Sequence, residues 1–188
     1  MLTSLLACKS PMKYLIYLLA IILLLGINLG LFNNLNLRGA LPNLLFLFSL
    51  CLILEKKNLD GLFVSFICGL ILDFYSGGFF GAFTLAFLAL ALGLGLFADQ
   101  LMVEWNWKNV GVAFILSWAV FNIIIWAYGL IAFRLHGAPV YITFRIFAAR
   151  FPLGLAYNLL WLYPVYWLVG WLNRMVDNLT VRRRGIIR

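Results

Sequence analysis

The chain has 188 residues, of which 65% are hydrophobic and only 11% charged, and its mean hydropathy is +1.05. A water-soluble domain of this length carries more charge and cannot bury so much apolar surface, so the composition predicts one membrane domain over 1–188. The formal charge of +8 lies in short polar segments and C-terminal arginines. This distribution is typical of topogenic anchors in contact with lipid, and we expect no nucleic-acid partner.

Six apolar runs follow one another along the chain, separated by short polar breaks. They are continuous and do not alternate apolar with polar residues, which excludes the pattern of a membrane-spanning barrel. The predicted fold is therefore all-α, a polytopic integral membrane protein of about six transmembrane helices. The predicted spans are 14–32, 41–54, 61–76, 79–98, 110–133 and 151–172, of which the second and third are short.

The basic residues predict the orientation of these spans. Cytoplasmic segments of membrane proteins are enriched in Lys and Arg. With both termini in the cytoplasm, only Arg38, Arg134, Arg145 and Arg150 of the 14 Lys and Arg residues lie on the opposite side. We therefore expect two cytoplasmic ends, with 174–188 as a basic cytoplasmic tail.

Segment 134–150 has two interpretations. Its last part, 140–150, is apolar on one side and carries Arg145, which is typical of a short helix lying on the outer membrane surface. The same residues could instead begin a longer sixth helix. The sequence leaves both open.

Small and polar residues form a stripe on the third predicted helix. Gly61, Ser65, Gly69 and Asp73 recur every four residues, a spacing that places them on one helical face. Small residues allow close approach of helix backbones in lipid, so this face is predicted to pack against other helices. Gly77, Gly78 and Gly81 then predict a tight turn into the fourth helix.

Asp73 is the acidic residue within these apolar runs, and it allows two interpretations. It sits at the end of its helix, where its carboxylate could accept hydrogen bonds from free backbone N–H groups of the next helix. Alternatively, it could bind a ligand or carry a proton, because ionisable groups inside membranes are often functional. Arg145 and Arg150 are candidate polar partners of Asp73.

Weaker signals predict further contacts between helices. The asparagines Asn28, Asn122 and Asn158 are predicted to form hydrogen bonds between helices. Pairs of small residues four positions apart predict close packing on the first and fourth helices. These pairs are Gly26 with Gly30, Ala89 with Gly93, and Ala91 with Gly95.

No motif in the sequence predicts catalysis or metal binding. His136 is the single histidine, the cysteines are isolated, and neither a phosphate loop nor a pair of carboxylates is present. A hydrolase would need a nucleophile with an adjacent base. We therefore expect a protein that is not an enzyme and has no cofactor or metal.

The stretch 66–81 reads Phe-Ile-Cys-Gly-Leu-Ile-Leu-Asp-Phe-Tyr-Ser-Gly-Gly-Phe-Phe-Gly. It resembles the hallmark of the MreD family, a glycine, three apolar residues and an aspartate followed by a turn of small residues and a closing glycine. Pro42-Asn43 at the start of the second span also resembles that family, as do the chain length, the number of spans and the basic C-terminus.

The resemblance implies a non-catalytic scaffold in the bacterial cytoplasmic membrane that belongs to the cell-elongation, or rod, complex. Its expected partners are an MreC-type protein, the MreB cytoskeleton, a RodA-type glycosyltransferase, a class B penicillin-binding protein and the lipid bilayer. Its role would be to organise lateral peptidoglycan synthesis and maintain cell shape. MreD-like chains also resemble the S-component bundle of vitamin transporters, which supplies the alternative, a substrate-binding subunit of an energy-coupling transporter.

Overall fold

A computed structural model describes residues 11–32, 41–56, 59–76, 80–101, 107–136 and 144–186. All regular structure in these ranges is helical, so the all-α prediction is confirmed for the described part of the chain. The first helix, α1, is continued by a short π-helical segment, Asn28–Phe32. The α-helices are α1 (Pro11–Ile27), α2 (Leu44–Lys56), α3 (Leu59–Ser76), α4 (Ala82–Leu101), α5 (Trp107–His136) and α6 (Phe144–Ile186).

Each predicted apolar run falls on one of these helices, but the last helix is much longer than its run. α6 has 43 residues and contains Pro152 and Pro164. At 1.5 Å per residue it is about 65 Å long, roughly twice the hydrocarbon thickness of a bilayer. Residues 144–150 are its first two turns, so in this range the chain forms the start of a longer sixth helix and not a separate surface helix, while residues 140–143 lie outside the described part of the chain.

Helix α2 lies at the centre of the bundle. Every side chain from Leu44 to Leu54 is at most 5% exposed, and the helix packs against α1, α3, α4 and α6. Phe46 contacts four aromatic rings at centroid distances of 4.9–6.4 Å, those of Phe87, Phe114, Trp118 and Phe121. An apolar helix without a polar face is expected to be buried on all sides, and here other helices surround it.

The remaining helices form a layer around α2. The most extensive contact joins α3 to α4, and α4 also packs against α5. The longest helix, α6, lies mainly along α2. These contacts define two ends of the bundle, one at the turn between α3 and α4 and one where α2 is followed by α3.

The outer surface of the bundle is rich in large apolar side chains. On α1, α5 and α6, leucines, isoleucines and aromatic residues are about half exposed or more, among them Leu19, Ile123, Leu160 and Tyr163. Within the described ranges, two helical stretches, Lys13–Gly30 and Lys108–Ile131, are long and apolar enough to cross a membrane. α2 and α4 contain shorter apolar stretches, Leu44–Glu55 and Ala82–Gly95.

Candidate functional site

The first half of the predicted stripe faces α2. A Cβ atom added to Gly61 would lie 3.0 Å from the Cα of Ile53, so only glycine fits there without movement. One turn later the hydroxyl groups of Ser65 and Ser49 lie 2.6 Å apart, and the Ser65 hydroxyl also donates to the Gly61 carbonyl at 2.7 Å. The stripe therefore joins α3 to α2 by close backbone packing and by a buried hydrogen bond.

The second half of the stripe faces α4. A Cβ atom added to Gly69 would lie 2.7 Å from the Cα of Thr84, 3.0 Å from its backbone nitrogen and 3.1 Å from the carbonyl oxygen of Phe83. All three atoms belong to the backbone and cannot rotate away. Gly69 is therefore the point of closest approach between α3 and α4 on this stripe.

Asp73 caps the start of α4. The backbone N–H of Phe83 donates to Oδ1 at 2.9 Å, and the backbone N–H of Thr84 donates to Oδ2 at 2.9 Å. The Thr84 hydroxyl donates to the same Oδ2 at 2.5 Å. First-turn N–H groups have no partner within their own helix, and a negative charge is favourable at that end of the helix dipole. The predicted capping hydrogen bonds are therefore present, with Asp73 only 3% exposed.

The backbone before α4 is shaped for this cap. Gly81 has a φ of +100°, a conformation that residues with side chains rarely adopt, and its carbonyl accepts the N–H of Leu85 at 2.9 Å. The hydroxyl of Tyr128 on α5 donates to the carbonyl of Phe80 at 3.1 Å. Three helices thus converge on residues 80–84.

The other predicted site residues lie at the margin of the described chain. Gly77 and Gly78 fall outside the described residues. The backbones of Arg145 and Arg150 lie in the first turns of α6, and their side chains fall outside the described part of the chain. Their pairing with Asp73 therefore stays a prediction.

A second polar cluster lies at the other end of the bundle. The ammonium group of Lys13 on α1 lies 2.5 Å from Oδ2 of Asp60, in the first turn of α3, and both side chains are largely buried. The hydroxyl of Tyr14 donates to the other oxygen of the same carboxylate at 2.9 Å. α1 is thus fastened to the start of α3 by a charged pair and a hydrogen bond.

The same end contains a chain of hydrogen bonds through three helices. The hydroxyl of Tyr17 on α1 donates to Oδ1 of Asn173 on α6 at 2.7 Å. The amide nitrogen of Asn173 donates to Oε2 of Glu55 in the last turn of α2. Tyr17 and Asn173 are nearly fully buried. The carboxylate of Glu55 is therefore held in one orientation by buried partners.

Among the predicted asparagines, Asn158 forms the expected bond between helices. Its Oδ1 accepts the backbone N–H of Asn43 at 2.8 Å, which joins α6 to the start of α2, while Oδ1 of Asn43 caps α2 through the N–H of Phe46. The amide of Asn122 instead donates within α5 to the carbonyl of Trp118, so the described contacts give it a bond within its own helix. Oδ1 of Asn28 is buried and has no hydrogen-bond partner among the described residues.

The glycines of the small-residue pairs on α1 and α4 are not points of close helix contact among the described residues, although Ala91 is buried in the core. Cβ atoms added to Gly26, Gly30, Gly93 or Gly95 would meet no atom of the described residues within 4 Å. Small residues permit close approach but do not require a neighbour. The close contacts are instead those of Gly61, Gly69 and Gly154, the last against the Trp118 side chain.

The polar groups of the bundle are suited to joining helices. Within the described ranges, no three His, Cys, Asp or Glu side chains come together in a way that could hold a metal ion. The described cysteines, Cys51 and Cys68, are fully buried. Tyr17, Glu55, Asp60 and Asn173 were not predicted from the sequence. The available signal was Asp60 in the first turn of a helix and a lysine near the start of α1.

No family model, curated protein or solved structure matches this chain.

Proposed function

We propose that this chain is a six-helix integral membrane scaffold of the MreD type, which organises lateral peptidoglycan synthesis in the rod complex without chemistry of its own. The observation that carries the proposal is the joint between α3 and α4. The residues of the family-like pattern, Gly69 and Asp73, serve there to bring two helix backbones together and to cap α4. These two residues stabilise the packing of α3 against α4.

The exposed apolar surface supports a membrane location. Large apolar side chains on α1, α5 and α6 are exposed, and large exposed apolar surfaces are typical of contact with a membrane or a partner protein. In a bilayer this surface contacts acyl chains or partner helices. We place both termini in the cytoplasm, on the side of the bundle that holds Lys13 and Arg174, because cytoplasmic segments are rich in basic residues.

The use of the buried polar groups favours a scaffold over a substrate-binding transporter subunit. A substrate cavity needs polar groups that converge on an open space. Both oxygens of Asp73 accept hydrogen bonds from α4, and both polar atoms of the Asn158 side chain bond to backbone groups, at Asn43 and Gly154. The oxygen atoms of both side chains thus connect helices, and the Asn158 amide nitrogen bonds within α6.

Affinity purification from native membranes tests the proposal. The tagged full chain is solubilised in mild detergent, and co-purifying proteins are identified by mass spectrometry against a tagged, unrelated polytopic membrane protein as control. We expect enrichment of an MreC-type protein together with a RodA-type glycosyltransferase or a class B penicillin-binding protein. Enrichment of transporter ATPases, or no enrichment of wall-synthesis proteins, would refute the scaffold role.

A further inference from the structure

A groove of about 280 Å³ lies on the surface between α6 and the end of α2. Its lining combines a carboxylate, a guanidinium group, three aromatic rings and a glycine. These residues are Glu55, Tyr163, Tyr166, Trp167, Gly170 and Arg174. The five from α6 stand at positions i, i+3, i+4, i+7 and i+11, so they share one face of that helix. The volume lies near the lower limit for small-molecule sites and is sufficient for a compact polar group.

The acidic group of this groove is held in place from behind. Asn173 donates to Oε2 of Glu55 and is itself bonded to Tyr17. A Cβ atom added to Gly170 would lie 3.8 Å from Oε1, so the other oxygen points toward the glycine in the groove. Support of this kind by buried partners is what fixes binding groups in a productive orientation.

The basic group lies on the same side of the groove as Gly170. Nε of Arg174 donates to the Gly170 carbonyl at 3.2 Å, which keeps the guanidinium group beside the groove. Guanidinium is well suited to phosphate oxygens, and carboxylates and aromatic faces both attract ammonium groups. The groove therefore offers a site for each charge of a zwitterion.

The apolar surroundings fit a lipid. The exposed rings of Tyr163 and Trp167 flank the groove, and such residues are enriched at the headgroup level of membranes. Toward the N-terminus of α6, Leu159 and Leu160 continue the exposed surface and provide a track for acyl chains. On the proposed orientation, the groove opens at the cytoplasmic headgroup level.

We propose that this groove binds the headgroup of a zwitterionic phospholipid that carries a primary ammonium group, such as phosphatidylethanolamine. Glu55 and the aromatic rings contact the ammonium group, and Arg174 contacts the phosphate. An anionic lipid would satisfy Arg174 but bring its own charge close to the carboxylate. This proposal rests on the membrane location in the proposed function, but not on the rod-complex partners.

Native mass spectrometry of the purified full chain tests this inference. The protein in detergent is mixed with equal amounts of phosphatidylethanolamine and phosphatidylglycerol, and the retained lipids are counted. We expect the wild type to retain phosphatidylethanolamine about tenfold more than phosphatidylglycerol, the ratio expected for one charge-assisted hydrogen bond. Glu55→Gln should reduce this ratio to near one, and Gly170→Leu, which fills the groove, should reduce retention of phosphatidylethanolamine.

Two further variants keep the test independent of folding defects. Trp167→Ala removes an exposed ring of the groove and should weaken retention of phosphatidylethanolamine, whereas Trp171→Ala removes an exposed ring outside it and should not. Equal retention of the two lipids by the wild type, or an unchanged ratio in Glu55→Gln and Trp167→Ala, would overturn the proposal.

Failure of the lipid site and failure of the scaffold role give different results. If Glu55→Gln and Gly170→Leu instead reduce co-purification of a protein partner, and the wild type shows no lipid preference, the groove is a protein-docking site and the lipid proposal is wrong. If no wall-synthesis proteins co-purify with the wild type, the scaffold role is refuted, whereas the lipid site is not. A chain recovered in the aqueous fraction without detergent refutes both.

Discussion

The substitution Gly69→Ala tests the joint between α3 and α4 most directly. The added methyl group would lie 2.7 Å from the Cα of Thr84, whereas ordinary contacts of Cβ atoms begin at 3.4 Å. The neighbouring atoms are backbone atoms, so the strain cannot be relieved by a change of side-chain rotamer. The two helices must therefore move apart by about 0.7 Å at this point, a displacement typical of overpacked interiors.

This displacement also acts on the cap one turn away. Both backbone hydrogen bonds from α4 to Asp73 are 2.9 Å long. A shift of the same size along these bonds would lengthen them past about 3.2 Å, the upper end of the usual range. Overpacking costs about 1–3 kcal/mol and a buried donor left without a partner about 1–3 kcal/mol, so we expect a loss of about 2–6 kcal/mol in the free energy of unfolding.

Thermal unfolding of the purified chain in detergent, followed by tryptophan fluorescence, measures the effect. Gly93→Ala is the matched control, because a Cβ atom at Gly93 on α4 meets nothing within 4 Å. Alanine has a higher helix propensity than glycine, so the control should unfold at the same temperature as the wild type or a higher one. If Gly69→Ala unfolds at the same temperature as Gly93→Ala, the close approach of Gly69 to Thr84 does not exist and the reasoning fails.

Three further predictions concern the polar contacts. Asp73→Leu should lower the free energy of unfolding by about 1–3 kcal/mol for each backbone N–H left unpaired. Asp73→Asn should lower it by less, because the amide keeps one acceptor oxygen. If the Asp73→Asn protein accumulates normally in the membrane but does not function, the charge itself matters and the capping role is insufficient. Lys13→Met and Asp60→Asn should each lower the free energy of unfolding by about 3 kcal/mol, because each leaves a buried charge or polar group without its partner. The double variant should lose much less than the sum of the two single variants. Additive losses in this double-mutant cycle would contradict the pairing. Tyr17→Phe should cost about 1 kcal/mol in the same unfolding assay through the lost bond to Asn173, and an unchanged midpoint would argue against that bond.

The helices and the cap on α4 could be predicted because their signals are local. Continuous apolar runs between short polar breaks mark helices directly. Asp73 stands alone among apolar residues at the end of a helix and before glycines, so its nearest available donors are those of the next helix. The capping hydrogen bonds need only residues that lie within 11 positions of one another.

The other end of the bundle could not be predicted because its contacts are distant in sequence. Lys13 and Asp60 are 47 positions apart, and Glu55 and Asn173 are 118 positions apart. Nothing local tells which polar residues of different helices will meet. The same reason explains the error at Gly26 and Gly93, since a pair of small residues defines a smooth helix face without identifying the helix that lies opposite it.

The central position of α2 depends on α6, which holds it at both ends. α2 has 13 residues and is about 20 Å long, shorter than the hydrocarbon core of a bilayer. In the proposed membrane location, with Glu55 at the cytoplasmic headgroup level, the first end of α2 therefore lies at membrane depth, where each polar group without a partner is costly. Asn158 accepts the backbone N–H of Asn43 at the first end, and Asn173 donates to Glu55 at the second.

The spacing of the two asparagines fits this role. Asn158 and Asn173 are separated by about 22 Å along α6, nearly the length of α2, and by about four turns, so they lie on similar faces of the helix. A short, largely apolar helix can thus occupy the centre because a longer neighbour supplies polar partners at its ends. Since Glu55 also lines the groove on α6, the contact that fixes one end of α2 also positions the groove's carboxylate. A change at Asn173 should therefore alter both the stability of the bundle and the binding properties of its surface.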